Sequence, residues 1–222
     1  MGLVFLLAGV LRFYDLARHD VVTDEVFYGL RSLGWVDFVG SQFQSTPVEW
    51  FDDLPSWAKL SFHDHPPGVF ALQYVSFAMF GESLLALRFP SALFSLMTVG
   101  LFFVIGKNVL GTNRAGLLAA SLATVSNFLV WAGRLGLQES VVVFFLLLAI
   151  YLFWKSLEDS RFWVWFGLSF GMGMLVKYSM ISVVPFFIVY LFWKRRDVFR
   201  EKRFYLSLVF ILIPLLPVLV YN

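Results

Sequence analysis

The sequence predicts an all-α fold, a polytopic bundle of transmembrane helices with one long polar loop near its start. Three observations predict it. Hydrophobic residues make up 59% of the 222 residues, with 27 Phe among them, and mean hydropathy is +0.78, against an apolar share of about 45–50% in soluble domains. The apolar residues fall in helix-length runs parted by short charged connections. The charges are segregated, with ten of the 15 carboxylates lying between Arg12 and Arg88 and the Lys and Arg crowding later connections. A formal net charge of +2 that is divided in this way gives no support to nucleic-acid binding. With no Cys there is neither a disulfide framework nor a thiolate metal site.

The first apolar run, Gly2 to Leu11, is shorter than the ~20 residues that cross a bilayer. Arg12 and Asp15 interrupt any extension. Either Phe13, Tyr14 and Leu16 complete the helix at the interface or the true start lies upstream, and the second reading is favoured. The run has no basic flank and no small-residue cleavage site, so it is expected to be an uncleaved anchor.

The next segment is expected to be a polar loop over residues 12–90. Within it, Asp24 to Leu33 reads as a short helix with Thr23 as N-cap and Gly34 just past its end. Thr46-Pro47-Val48-Glu49 has the form of a capping box with Pro at the first helical position, and a helix to Asp53 carries Trp50 and Phe51 toward the interface with Trp57. Pro66 to Phe80 is expected to lie along or dip into the membrane surface.

Crossing candidates follow at Ser91–Gly106, Ala115–Ala132, Val141–Trp154, Phe162–Val176, Ser179–Trp193 and Phe204–Tyr221. Lys107 with Arg114, Lys155 with Arg161, and the cluster Lys194, Arg195, Arg196, Arg200, Lys202 and Arg203 occupy three connections. By the positive-inside rule these share the cytoplasmic side only if Pro66–Phe80 does not span. The expected topology is seven spans in the plasma (cytoplasmic) membrane, N-terminus inside and first loop outside. Asp24, Glu25, His65, Arg88, Arg134, Glu139 and Lys177 then converge on the extracytoplasmic face. Charges at membrane depth are costly and usually functional. Gly167, Gly171 and Gly173 read as places where helices approach closely.

Arg12-Phe13-Tyr14-Asp15-Leu16, Asp24-Glu25, His65-Pro66-Pro67, Arg88-Phe89-Pro90-Ser91-Ala92-Leu93, and Arg134 with Glu139, in this order, resemble the integral-membrane glycosyltransferases of the GT-C fold. The likeness is strongest to the dolichyl-phosphate-mannose protein mannosyltransferases and the aminoarabinose transferases of lipid A. Members are roughly twice this length or more, so the resemblance implies that residues 1–222 form a single transmembrane domain, the N-terminal part of a longer module. The partners it implies are a polyprenyl-phosphate-linked sugar, a hydroxyl acceptor on protein, lipid or glycan, and the membrane lipids. The sugar would be transferred with inversion on the extracytoplasmic face.

Such a transfer needs a base for the acceptor hydroxyl, cations around the leaving phosphate and an apolar groove for the polyprenyl tail. The resemblance puts Asp24 at the base. The bland reading is that Asp24 and Glu25 only favour the positive end of their helix, worth about 0.3–1 kcal/mol. Glu25 projects about 100° away from Asp24 on a helix, so it is expected to orient a basic neighbour or the acceptor. Glu139 stands where relatives often carry Asp, as a second carboxylate or a metal ligand. The donor phosphate is assigned to His65, Arg88, Arg134 and Lys177. Proline fixes His65 at a helix N-terminus, where anions are favoured, or the His simply packs at the interface. Arg88 and Arg134 offer planar forks for phosphate, snorkel from span ends, or, for Arg88, order the structure. No cofactor is firmly implied. A divalent metal held by His63, Asp64 and His65 is a minority reading. The alternative to an enzyme is a non-catalytic GT-C-like subunit or fragment that binds a lipid carrier or partner protein.

Overall fold

The computed structural model describes residues 1–33 and 65–220, and among them the chain forms helices and no strands. The α-helices are α1 (Gly2–Phe13), α2 (Thr23–Leu33), α3 (Gly68–Phe80), α4 (Leu84–Leu110), α5 (Asn113–Val125), α6 (Asn127–Gly133), α7 (Glu139–Glu158), α8 (Phe162–Val176), α9 (Val184–Lys194) and α10 (Lys202–Val220). Short 3-10 helices at Tyr178–Val183 and Arg196–Arg200 lie either side of α9. Helices α4 and α7 are long and apolar enough to cross a membrane, and α5 with α6 adds a third span if that bent pair is counted as one. The expected helix at 48–53 and its capping box lie outside the described residues, as do His63 and Asp64 of the metal reading.

The described chain divides into two units. One contains residues 1–33 and 69–144, the other residues 65–68 and 145–220. In the first unit, α1 continues through Arg12 to Phe13, two residues past the expected end. The reason is that Arg12 is wholly buried and its charge is spread over protein oxygens. Its Nε donates to Ser95 Oγ at 2.7 Å, Nη1 to the carbonyls of Ala8 and Thr124, and Nη2 to that of Ala123. Ala123 and Thr124 end α5, where the expected span at 115–132 is instead broken, with a 60° bend into α6. The last carbonyls of a helix have no partner within it, and Arg12 supplies one from another helix.

Helix α4 starts well before the expected Ser91. Ser83 caps it by accepting the N–H of Ala86, so Arg88 sits inside the helix rather than ahead of it. Pro90 cannot donate to the carbonyl four residues back. That carbonyl, Ala86, is taken by Ser76 Oγ from α3 at 2.6 Å.

The second unit is organised by aromatic packing and glycine. Gly167 and Gly171 of α8 face the backbone carbonyls of Ser207 and Ile211 of α10 so closely that no Cβ would fit. Gly173 instead meets the flexible side chain of Met180, so the expected role in close helix approach holds for Gly167 and Gly171. Phe153 stacks on Phe187 with ring centroids 4.4 Å apart, and Trp163 meets Phe204 edge-on at 5.1 Å.

Candidate functional site

Helix α2 has two faces because its polar and aromatic residues recur at helical spacing. Glu25, Tyr28, Gly29 and Ser32 are buried, whereas Asp24, Val26, Phe27 and Leu30 are exposed. Adjacent residues on a helix point about 100° apart, so the two neighbouring carboxylates meet different surroundings. Asp24 faces outward and has no hydrogen bond or ion pair to a described residue.

Glu25 is fully buried and bound on both oxygens. Oε1 accepts Arg88 Nε at 2.8 Å and the Gly136 N–H at 2.6 Å. Oε2 accepts Arg88 Nη2 at 2.8 Å and the Val22 N–H at 3.1 Å. Burial pushes the Glu25 carboxyl up, but the Arg88 hydrogen bond, the N–H groups of Gly136 and Val22 and the Arg88 charge together hold it below its ordinary value. Gly136 has to be glycine here, because a Cβ would lie 2.8 Å from Leu87 Cγ.

Arg88 is 1% exposed, and all five of its N–H donors are used within the protein. Besides Glu25, it donates to the carbonyls of Leu16, His19 and Asp20. This holds the connection from α1 to α2 in place and leaves the guanidinium no donor for a phosphate. The same network runs on to α3. Gln73 Nε2 donates to the Gly136 carbonyl at 2.8 Å, and Ser32 Oγ donates to Gln73 Oε1 at 2.7 Å. Ser91 donates to the Leu137 carbonyl, and Ser140 donates to that of Ser91. Helix α2, the start of α4 and the 134–140 segment are thereby tied together.

Arg134 follows α6 and is half-buried. It donates to the carbonyls of Leu11, Tyr14 and Asp15, past the end of α1. Asp15 has a φ of 49°, a left-handed conformation that Asp tolerates better than most residues. Nε and one N–H of Nη2 of Arg134 have no partner among the described residues. Glu139 is the first residue of α7 and half-buried. Beside it Gln138 is fully buried, and neither its amide oxygen nor its nitrogen is hydrogen-bonded.

His65 and Lys177 belong to the second unit. A Cβ on Gly68 would lie 2.6 Å from the Leu175 carbonyl oxygen. Only glycine therefore lets the His65-Pro66-Pro67-Gly68 segment lie against the end of α8, which Lys177 follows. Both side chains are half-exposed. No group of three or more His, Asp or Glu able to hold a metal occurs among the described residues.

Several residues that organise the site were not singled out from the sequence. Arg12 reads there as an interruption of the first span, although an Arg inside an apolar run is itself a signal. Gln73, Gly136 and Gln138 gave no comparable signal, since a single amide or glycine has no pattern.

The helices and their apolar spans define an all-α membrane protein. The chain belongs to the family described as dolichyl-phosphate-mannose-protein mannosyltransferase, whose model matches residues 64–221. The match includes His65, Arg88, Arg134, Glu139 and Lys177 and begins after Asp24 and Glu25. The chain is also 27% identical over 153 residues to an undecaprenyl phosphate-alpha-4-amino-4-deoxy-L-arabinose arabinosyl transferase 2 of Pseudomonas fluorescens (strain Pf0-1), covering 64% of this chain and 27% of that protein. A Pseudomonas aeruginosa (strain UCBPP-PA14) protein named as the corresponding arabinosyl transferase is 26% identical over 152 residues, with the same coverage. The chain thus spans about a quarter of the length of these relatives. No solved structure matches it.

Proposed function

We propose that this chain forms the catalytic-loop part of a membrane glycosyltransferase, and that Asp24 is its general base. The donor is a polyprenyl-phosphate-linked sugar, of the class named in the arabinosyl transferase relatives, and the acceptor is a hydroxyl on the extracytoplasmic side. The observation that carries the reading is the division of labour between neighbouring carboxylates. Glu25 is spent on Arg88 and two backbone N–H groups, so its helix is held in place, and Asp24 is presented outward without a partner among the described residues.

In the transfer, the Asp24 carboxylate takes the acceptor hydroxyl proton as the oxygen attacks the anomeric carbon. The bond from that carbon to the phosphate oxygen breaks from the opposite face, and the sugar inverts. The polyprenyl phosphate leaves with one more negative charge than it had in the donor. The unpartnered N–H groups of Arg134 are suited to that charge. Arg88 acts on this reading as a positioning residue for the Asp24 loop. Glu139 is retained as a second carboxylate near the 134–138 segment.

The test is Asp24→Asn, assayed in membranes by single-turnover transfer from undecaprenyl-phosphate-linked sugars with the complete reading frame that encodes the chain. Turnover should fall about 10²–10⁴-fold, the usual contribution of a placed base, with the unfolding midpoint and donor affinity unchanged. Near-normal turnover in Asp24→Asn with loss in Glu139→Gln would move the base to Glu139. Transfer that is absent in the parent protein while donor lipid still binds would favour a non-catalytic subunit.

A further inference from the structure

The second unit contains a cavity of about 310 Å³, at the small end of the ~300–1,000 Å³ range of ligand pockets. Its walls are apolar side chains, among them Phe153, Trp163, Phe166, Phe187, Leu191 and Phe204. It reaches the surface of the unit at Ile188, Phe192 and Leu208, which line it and are about half exposed. The indole N–H of Trp163, the only polar side-chain atom of the wall residues, is buried behind the ring and contributes nothing to the cavity surface.

The basic connection around Arg196–Arg200 borders this cavity, since Phe199 and Phe204 are wall residues. Most cations there are already engaged. Lys155 pairs with Glu158, Arg161 with Asp159 and Arg195 with Asp197. Arg203 donates to Ser160, Arg196 to the Phe192 carbonyl, and Lys194 lies over the Trp193 ring. Arg200, next to Phe199, and Lys202, two residues before Phe204, are exposed and have no partner among the described residues. We propose that this cavity holds an acyl chain of an anionic phospholipid, its phosphate on Arg200 and Lys202. Alkyl carbon matches walls with no polar side chain other than the indole. A phosphodiester matches the two exposed cations Arg200 and Lys202 beside the wall residues Phe199 and Phe204.

The experiment uses the 222-residue chain in phosphatidylcholine vesicles doped with phosphatidylglycerol or phosphatidylcholine carrying a diazirine near the end of one acyl chain. After photolysis, adducts are located by mass spectrometry. Adducts on cavity residues of α8, α9 and α10 are expected, several-fold more abundant for phosphatidylglycerol. Arg200→Gln with Lys202→Gln, both on the surface, should reduce that headgroup preference to about equal labelling, as expected when two cations facing an anionic lipid are removed. Leu208→Trp fills the cavity from its half-exposed rim and should remove the adducts without altering the unfolding midpoint. Equal labelling by both lipids, or adducts confined to outward residues such as Phe186 and Trp193, would overturn the proposal. So would displacement of the probe by undecaprenyl phosphate more strongly than by unlabelled phosphatidylglycerol, which would give the cavity to a polyprenyl tail.

Discussion

The two units solve the problem of packing in an apolar setting in opposite ways. The first buries Arg12, Glu25, Arg88, Gln73 and a series of serines, whereas the second packs rings on rings and glycines on backbone and keeps its ion pairs in exposed connections. The buried charges of the first unit go with the irregular backbone it contains. The first unit has a broken helix pair, a proline inside α4, and the irregular segments 14–22 and 134–138. Buried carbonyls and N–H groups there need partners away from water, and those of Ala86, Ala123, Thr124, Leu16, Gly136 and Leu137 are met by side chains from other elements. In the second unit α8 has no proline, α10 carries Pro214 and Pro217, and the two helices are joined by close approach at Gly167 and Gly171. Buried charge, on this comparison, marks where the chain departs from regular helix, and those departures carry the candidate catalytic loop.

The largest effect expected on stability is at the Glu25–Arg88 pair. Glu25→Gln leaves a buried guanidinium without its counter-charge and should cost about 3–5 kcal/mol of stability, measured by thermal unfolding in detergent. The double change Glu25→Leu with Arg88→Met should not recover it. The carbonyls of Leu16, His19 and Asp20 and the N–H groups of Val22 and Gly136 would all lose partners. A double variant as stable as the parent would mean that the network does not support the irregular backbone.

Gly171→Leu in the second unit should be milder, about 1–3 kcal/mol, because α8 and α10 can part slightly to admit a side chain. If this change proves worse than Glu25→Gln, the contrast between the units fails. Acid should separate them as well. The Glu25 carboxyl is held below its ordinary value, so its contribution is complete above the unfolded carboxyl value and is lost as pH falls through the lower folded one. The parent should therefore lose stability below about pH 4.5, and Glu25→Gln should show a flatter acid limb. The smallest effect is expected at Asp197→Asn. Its pair with Arg195 is exposed, and the unfolding midpoint should stay within error because exposed pairs are screened by solvent.

Helix content was legible from the sequence because apolar runs and their caps are local signals. Helix α2 begins within one residue of its expected start at Asp24, and α8 matches its expected bounds. The roles of Gly167 and Gly171 could also be read, since small residues spaced along one apolar helix have few other uses. The split between Asp24 and Glu25 was foreseeable from helical geometry alone. What Glu25 binds was not, because Arg88 is 63 residues away.

Single amides and glycines in connections have no periodicity, so Gln73, Gln138 and Gly136 could not be singled out. Arg12 and Arg88 were visible as charges but not as fully engaged ones. An Arg in a sequence shows five donors and no acceptors, and only the tertiary fold decides whether carbonyls from a broken helix or a turn come within reach to use them.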